Sequence, residues 1–162
     1  MVVCSLFSSL IAICAWISIP IGDIAFTLQT FAIFLALGTL GGKWGTVSIL
    51  IYLALGAVGL PVFSGFQGGI GTLLGVTGGY LWGFLLSGLG CWALERVNKP
   101  IAMGAGLLLC YACGSCWFLV YAGSGIGLWF VLLKCVVPYL IPDGIKLALA
   151  LSMSERLKKH IK

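Results

Sequence analysis

Asp143 and Lys146 stand three positions apart in an otherwise apolar stretch. On a helix that spacing puts both side chains on one face. Ionisable groups inside an apolar span face the interior, pair with one another or contact a solute. A carboxylate that accepts and an ammonium that donates suit a small polar solute carrying N–H and carbonyl or carboxylate groups. They suit equally a structural ion pair that locks the last helix. The second informative feature is the stretch 65–79, in which seven of fifteen residues are glycine. Such a segment does not hold a helix. It is nonetheless apolar enough for membrane depth, where irregular backbone must be buried in protein or line a cavity. Glycine lets main chain approach a ligand closely, so the loop either folds over a solute or packs tightly between helices.

Other residues offer less chemistry. Cys110, Cys113 and Cys116 form a C-x-x-C-x-x-C pattern, which elsewhere suggests metal or redox chemistry. Here it lies mid-span, without a His or carboxylate on the same helix, and reads as buried packing residues. The only His is His160, and the four acids, Asp23, Glu95, Asp143 and Glu155, are scattered. No acid–base pair or nucleophile triad can be assembled from them, so an enzyme is not expected, and no cofactor or metal site is either. Small residues at Cys4, Ser8 and Ala12 recur every fourth position, a spacing that lets another helix approach closely, from a partner protein or from this chain.

The elements that must position these groups follow from composition. Of 162 residues, 61% are hydrophobic and only 8% charged, against about 25% charged in a soluble domain. Residues 44–94 contain no Asp, Glu, Lys or Arg, a run of 51 residues. A membrane helix needs about 20 apolar residues, so the chain is expected to be an all-α integral membrane protein. Residues 1–162 are expected to form a single transmembrane domain, with no room for a nucleotide-binding module. Met1 to Gly22 lacks a basic leader and an A-x-A cleavage site, so a retained first helix is expected.

Six helices are expected: Val2–Ile19, Thr27–Leu40, Gly45–Leu60, Tyr80–Leu94, Pro100–Ala122 and Pro142–Leu157. The breaks fall at Pro20, Gly41-Gly42-Lys43, the glycine-rich loop, Glu95–Lys99 and Gly123-Ser124-Gly125. The short stretch Ile126–Val137 suggests an interfacial or re-entrant segment, the other register being one kinked helix from Gly127 to Met153. With six helices, Lys43, Arg96, Lys99, Arg156, Lys158, Lys159 and Lys162 fall on one face, and Lys134 is the one basic residue of the opposite loops. The positive-inside rule then puts both termini in the cytoplasm. The net charge of +5 calls for anionic headgroups of membrane lipids, not for nucleic acid.

The block Leu55-Gly56-Ala57-Val58-Gly59-Leu60-Pro61-Val62-Phe63-Ser64-Gly65-Phe66, continued through Gly68-Gly69 to Gly75-Val76-Thr77-Gly78-Gly79-Tyr80, closely resembles the signature of the BioY family. These are the biotin-specific S components of energy-coupling factor (ECF) vitamin transporters. Phe26-Thr27-Leu28-Gln29-Thr30, Gly41-Gly42-Lys43-Trp44-Gly45 and Pro138-Tyr139-Leu140-Ile141-Pro142-Asp143-Gly144-Ile145-Lys146 support it. Val76 stands where the family usually has proline.

The resemblance implies a six-transmembrane-helix S-component bundle with a glycine-rich outer loop, a cavity open to the outside, and uptake of biotin as the substrate. It implies a transmembrane coupling subunit driven by two ABC-type ATPases, in the cytoplasmic membrane. Cys4, Ser8 and Ala12 are where such a component would meet that subunit, Ala12 being the clearest match; work alone or as a self-dimer are the other arrangements. Biotin brings a ureido ring with two N–H donors and one carbonyl, and a valerate carboxylate. Asp143 is expected to accept from a ureido N–H, and Lys146 to donate to the ureido oxygen or the carboxylate. Gly68, Gly69, Thr77, Gly78 and Gly79 would line the ring, Tyr80 would supply a wall or hydrogen bond, and Gln29 a further contact. Competing readings are an S component for riboflavin or thiamine, and a structural membrane subunit.

Overall fold

The computed structural model describes residues 1–21, 24–96, 98–123 and 127–161; the side chains of 20, 21, 24, 160 and 161 are not described. Asp23, the Ser124-Gly125 break, Ile126 and Lys162 lie outside the described residues. Helix α1 covers Val2–Trp16. The strands β1, Ser18–Ile21, and β2, Ile24–Thr27, pair antiparallel with Ser18 opposite Thr27. The chain is mostly helical, as expected, but this hairpin stands where helix 1 was expected to run on to Ile19. Five of its residues (Ile19, Ile21, Ile24, Phe26, Thr27) are β-branched or aromatic, a strand-favouring composition, and Pro20 ends helical hydrogen bonding.

Helical hydrogen bonding runs over α2, Gln29–Ala57, but Gly41 breaks it with φ 84° and ψ 171°. The chain doubles back there. A Cβ added to Gly45 would sit 2.8 Å from Leu37 Cα, and Gln29 reaches Tyr52; in a straight helix, rising 1.5 Å per residue, neither pair could meet. Helix α2 is therefore two antiparallel arms, 29–40 and 42–57, with the reversal where the sequence places Gly41-Gly42-Lys43. Positive φ at that point is what makes the glycine necessary.

A 3-10 turn, Ser64–Phe66, and a single helical turn, α3, Ile70–Leu73, punctuate the glycine-rich stretch. Helices α4, Gly78–Ala93, and α5, Lys99–Ala122, pack antiparallel along most of their length. Gly79 faces Trp117 and Gly83 faces Cys110. The last helices are α6, Leu128–Cys135, and α7, Val137–Ile161, which meet at a 43° bend. The last helix thus starts at Val137, not Pro142, after a bend that suits a broken span or a re-entrant segment. Pro138 takes the first turn, where no N–H is needed, and Pro142 lies inside the helix. Among the described residues, Lys99–Ala122 is long and apolar enough to cross a membrane, the bent pair α6–α7 is a further candidate, and the apolar stretch Gln29–Ala57 is divided by the reversal at Gly41.

Registers between elements fix which ends lie together. Cys4 Sγ donates to Trp44 O at 3.8 Å, and Ser8 Oγ to Ser48 O at 2.7 Å. The constant offset of 40 makes α1 parallel to arm 42–57. Met1 therefore lies at the Lys43 end of the bundle. There the Gly42 N–H donates to Glu95 Oε1 at 3.4 Å, and Lys99 lies within electrostatic reach of Glu155 and Lys158. Three basic stretches far apart in sequence thus gather at one end. The hairpin and the 58–77 segment close the other, where Trp16 Nε1 donates to Pro61 O at 2.8 Å and the Trp16 ring stacks on Phe66 at 5.2 Å.

Candidate functional site

A cavity of about 400 Å³ opens inside the hairpin end of the bundle, within the about 300–1,000 Å³ that small-molecule sites occupy. Its walls are largely aromatic and aliphatic: Phe26, Phe63, Leu81, Phe84, Leu107 and Tyr139. At one pole lie the two charges. Asp143 and Lys146 are both 6% exposed, and Lys146 Nζ sits 2.9 Å from Asp143 Oδ1. Each charge has further partners. Tyr111 donates to Asp143 Oδ2 at 2.7 Å. Lys146 donates to Thr27 O at 2.6 Å and lies over the Phe26 ring, 3.7 Å from its centroid. A buried pair is tolerable only when its remaining lone pairs and protons are satisfied. These contacts supply that, and they tie α5, α7 and β2 together at one point.

Chemically, the pole is both donor and acceptor. Among the described residues, each Asp143 oxygen has one bond from the protein and keeps capacity for another. Gln29, 3% exposed, adds a carboxamide to the lining, its Nε2 donating to Tyr52 Oη at 2.9 Å. Tyr80 donates to Cys135 O at 3.2 Å.

Of the residues singled out in the sequence, Asp143, Lys146, Gln29, Thr77 and Tyr80 all line this cavity. Gly68, Gly69, Gly78 and Gly79 are not among its lining residues. Added Cβ atoms at Gly68, Gly78 and Gly79 would fall on Leu60 O, Leu73 O and the Trp117 side chain, respectively. Gly69 has φ 91°, and its N–H donates to Gly56 O at 2.7 Å. Close packing requires glycine at 68, 78 and 79, and the positive φ requires it at 69, which has open space around it.

On the helix 1 stripe Ala12 is buried, and Cys4 and Ser8 are buried with bonds to arm 42–57. The small size of these residues serves an intramolecular crossing. Of the three α5 cysteines, Cys110 lines the cavity, Cys113 is half-buried and Cys116 exposed.

Tyr111, Tyr139, Thr27 and Tyr52 were not anticipated. For Tyr111 a signal existed, since a tyrosine in the middle of an apolar helix needs a partner for its hydroxyl. For Thr27 there was none, because it contributes a backbone carbonyl.

The family model for the BioY family matches residues 1–162. A relative named biotin transporter BioY, from Thermotoga maritima, is 43% identical over 95% of this chain and 92% of its own length. A probable biotin transporter BioY from Pyrococcus horikoshii is 40% identical over 95% of this chain and 93% of its own. Among solved structures, the S-component for biotin from an ECF-type ABC transporter, determined at 2.1 Å, superposes with a TM-score of 0.87. It is 29% identical, and the match covers 98% of this chain and 89% of that one. The chain belongs to the BioY family.

Proposed function

We propose that this chain captures biotin at the outer face of a membrane and is its uptake subunit in a transporter, without enzymatic activity of its own. The observation that carries the reading is the buried Asp143–Lys146 pair at the pole of an aromatic-walled cavity of about 400 Å³, in a BioY-family chain. Biotin matches that cavity group for group. Its ureido ring offers N–H to the open lone pairs of Asp143, and Lys146 serves the ureido carbonyl or the valerate carboxylate. Its apolar bicycle and chain fill the space among Phe26, Phe63 and Tyr139. Thr77 and Tyr80 complete the wall, and Gly68, Gly69, Gly78 and Gly79 hold the loop that covers the solute.

The bundle is read as six passes within one domain: α1, the two arms of α2, α4, α5, and the bent pair α6–α7. The hairpin and the glycine-rich loop face outward. Both termini and the basic end face the cytoplasm of a cell membrane, where anionic lipid headgroups favour them. The transmembrane coupling subunit and ABC-type ATPases supply the energy.

Titration of the purified, detergent-solubilised protein with biotin, with desthiobiotin, riboflavin and thiamine as competitors, tests the reading. Saturable binding of biotin that riboflavin and thiamine do not displace is the expected result. No binding by a folded preparation would overturn it.

A further inference from the structure

Gln29 opens the first arm of α2, and Tyr52 lies on the second. The two meet only because Gly41 reverses the chain between them. Tyr52 is completely buried and stands outside the cavity lining, with its ring edge-on to Phe63 at 5.5 Å and 81°. Its hydroxyl accepts from Gln29 Nε2 at 2.9 Å, and the Gln29 backbone N–H is held by Thr27 Oγ1 at 3.3 Å. A glutamine side chain has several rotatable bonds and loses much rotamer entropy when fixed. Here the fixing is done by the protein, before any solute arrives. With one N–H committed to Tyr52, the carboxamide keeps its carbonyl oxygen and second N–H, and Gln29 lines the cavity.

We propose that Tyr52 is a positioning residue for solute recognition: it pins Gln29 so that the carboxamide presents an N–H donor beside a C=O acceptor to the solute. That edge is complementary to a cyclic urea, whose adjacent C=O and N–H pair with it in two parallel hydrogen bonds. The inference rests on the reading of this chain as a biotin-capturing subunit, and names the residue that sets the geometry of ureido recognition. Preorganisation raises affinity by removing an ordering cost, without a contact between Tyr52 and the solute.

The test is a double-mutant cycle on the full-length protein, with biotin binding measured by calorimetry and thermal unfolding recorded for every variant. Tyr52→Phe keeps the ring and its contact with Phe63 and removes only the oxygen. It is expected to weaken biotin binding about threefold to tenfold, the range of one net hydrogen bond. Gln29→Met is expected to weaken it more, and the double variant to bind no worse than Gln29→Met alone, because a pinning oxygen has no role once the amide is gone. Additive losses, or unchanged affinity in a folded Tyr52→Phe protein, would overturn the proposal. So would a Tyr52→Phe protein that does not fold while Gln29→Met does, since the hydroxyl would then be structural. Failure of the wild type to bind biotin overturns the underlying reading as well, and is told apart by the wild-type titration.

Discussion

The Tyr111 hydroxyl donates to Asp143 Oδ2 at 2.7 Å while Lys146 holds Oδ1 at 2.9 Å. Both oxygens of one buried carboxylate are thus pinned from different helices, α5 and α7, which fixes the plane in which its remaining lone pairs point. The carboxylate is preorganised as an acceptor.

Tyr111→Phe therefore frees that plane and leaves Oδ2 without its donor. Hydrogen bonds to charged groups are worth about 1.5–3 kcal/mol, so biotin affinity is expected to fall about tenfold to a hundredfold. Thermal stability should fall as well, because a charged acceptor stays buried with less support. Calorimetry and thermal unfolding of the purified variant read both effects.

Much of this arrangement was legible in the residues. Asp143 and Lys146 stand out because ionisable groups are costly in an apolar helix, and the reversal at Gly41 is announced by two glycines and a lysine in sequence. The hairpin was not legible, since Ser18–Ile21 and Ile24–Thr27 are short apolar runs that also suit the end of a helix. The start of α7 was missed because Pro142 is a better-looking helix start than Val137 by local rules; Pro138 suits the first turn as well, and there the Tyr139 ring stacks on Phe26 of the hairpin, 6.4 Å between centroids. The role of the small residues on α1 was ambiguous for a different reason. Spacing marks a close approach but does not say to whom; the bonds from Cys4 and Ser8 to arm 42–57 show an approach within this chain.

The registers of α1 with arm 42–57 and of Gly42 with Glu95 put Met1, Lys43 and Lys99 at one end of the bundle. With the positive-inside rule, epitope tags at the N- and C-termini are both expected to become accessible to antibody only after the membrane is permeabilised. Accessibility of either tag in intact cells would contradict the six-pass arrangement.

Glycine substitutions should separate packing from mere abundance. A Cβ at Gly56 would fall on the Phe63 ring, which is buried, edge-on to Tyr52 and part of the cavity wall. Overpacking of this kind costs about 1–3 kcal/mol. Gly56→Ala is therefore expected to lower the melting temperature and weaken biotin binding together. Gly104 lies in α5 with nothing within 4 Å of an added Cβ, and replacing a helical glycine by alanine gains about 0.5–1 kcal/mol. Gly104→Ala is expected to leave binding unchanged and the melting temperature equal or higher.

The decisive question for the charged pair is whether it holds the fold or holds the solute, and a charge cycle answers it. Lys146→Met leaves Asp143 buried with one donor fewer and no countercharge. Breaking a buried pair on one side costs about 3–5 kcal/mol, so this variant should unfold at markedly lower temperature and lose biotin binding. Asp143→Asn leaves the ammonium with Thr27 O and the Phe26 ring and should be destabilised less, while still losing most affinity. The double variant Asp143→Asn/Lys146→Met carries no buried charge, and removing both partners of a pair is often close to neutral for stability. Its melting temperature is expected to recover towards wild type while biotin binding stays absent. Recovered stability without recovered binding assigns the pair to the solute. Recovery of both would make it a structural lock, with recognition lying elsewhere in the cavity.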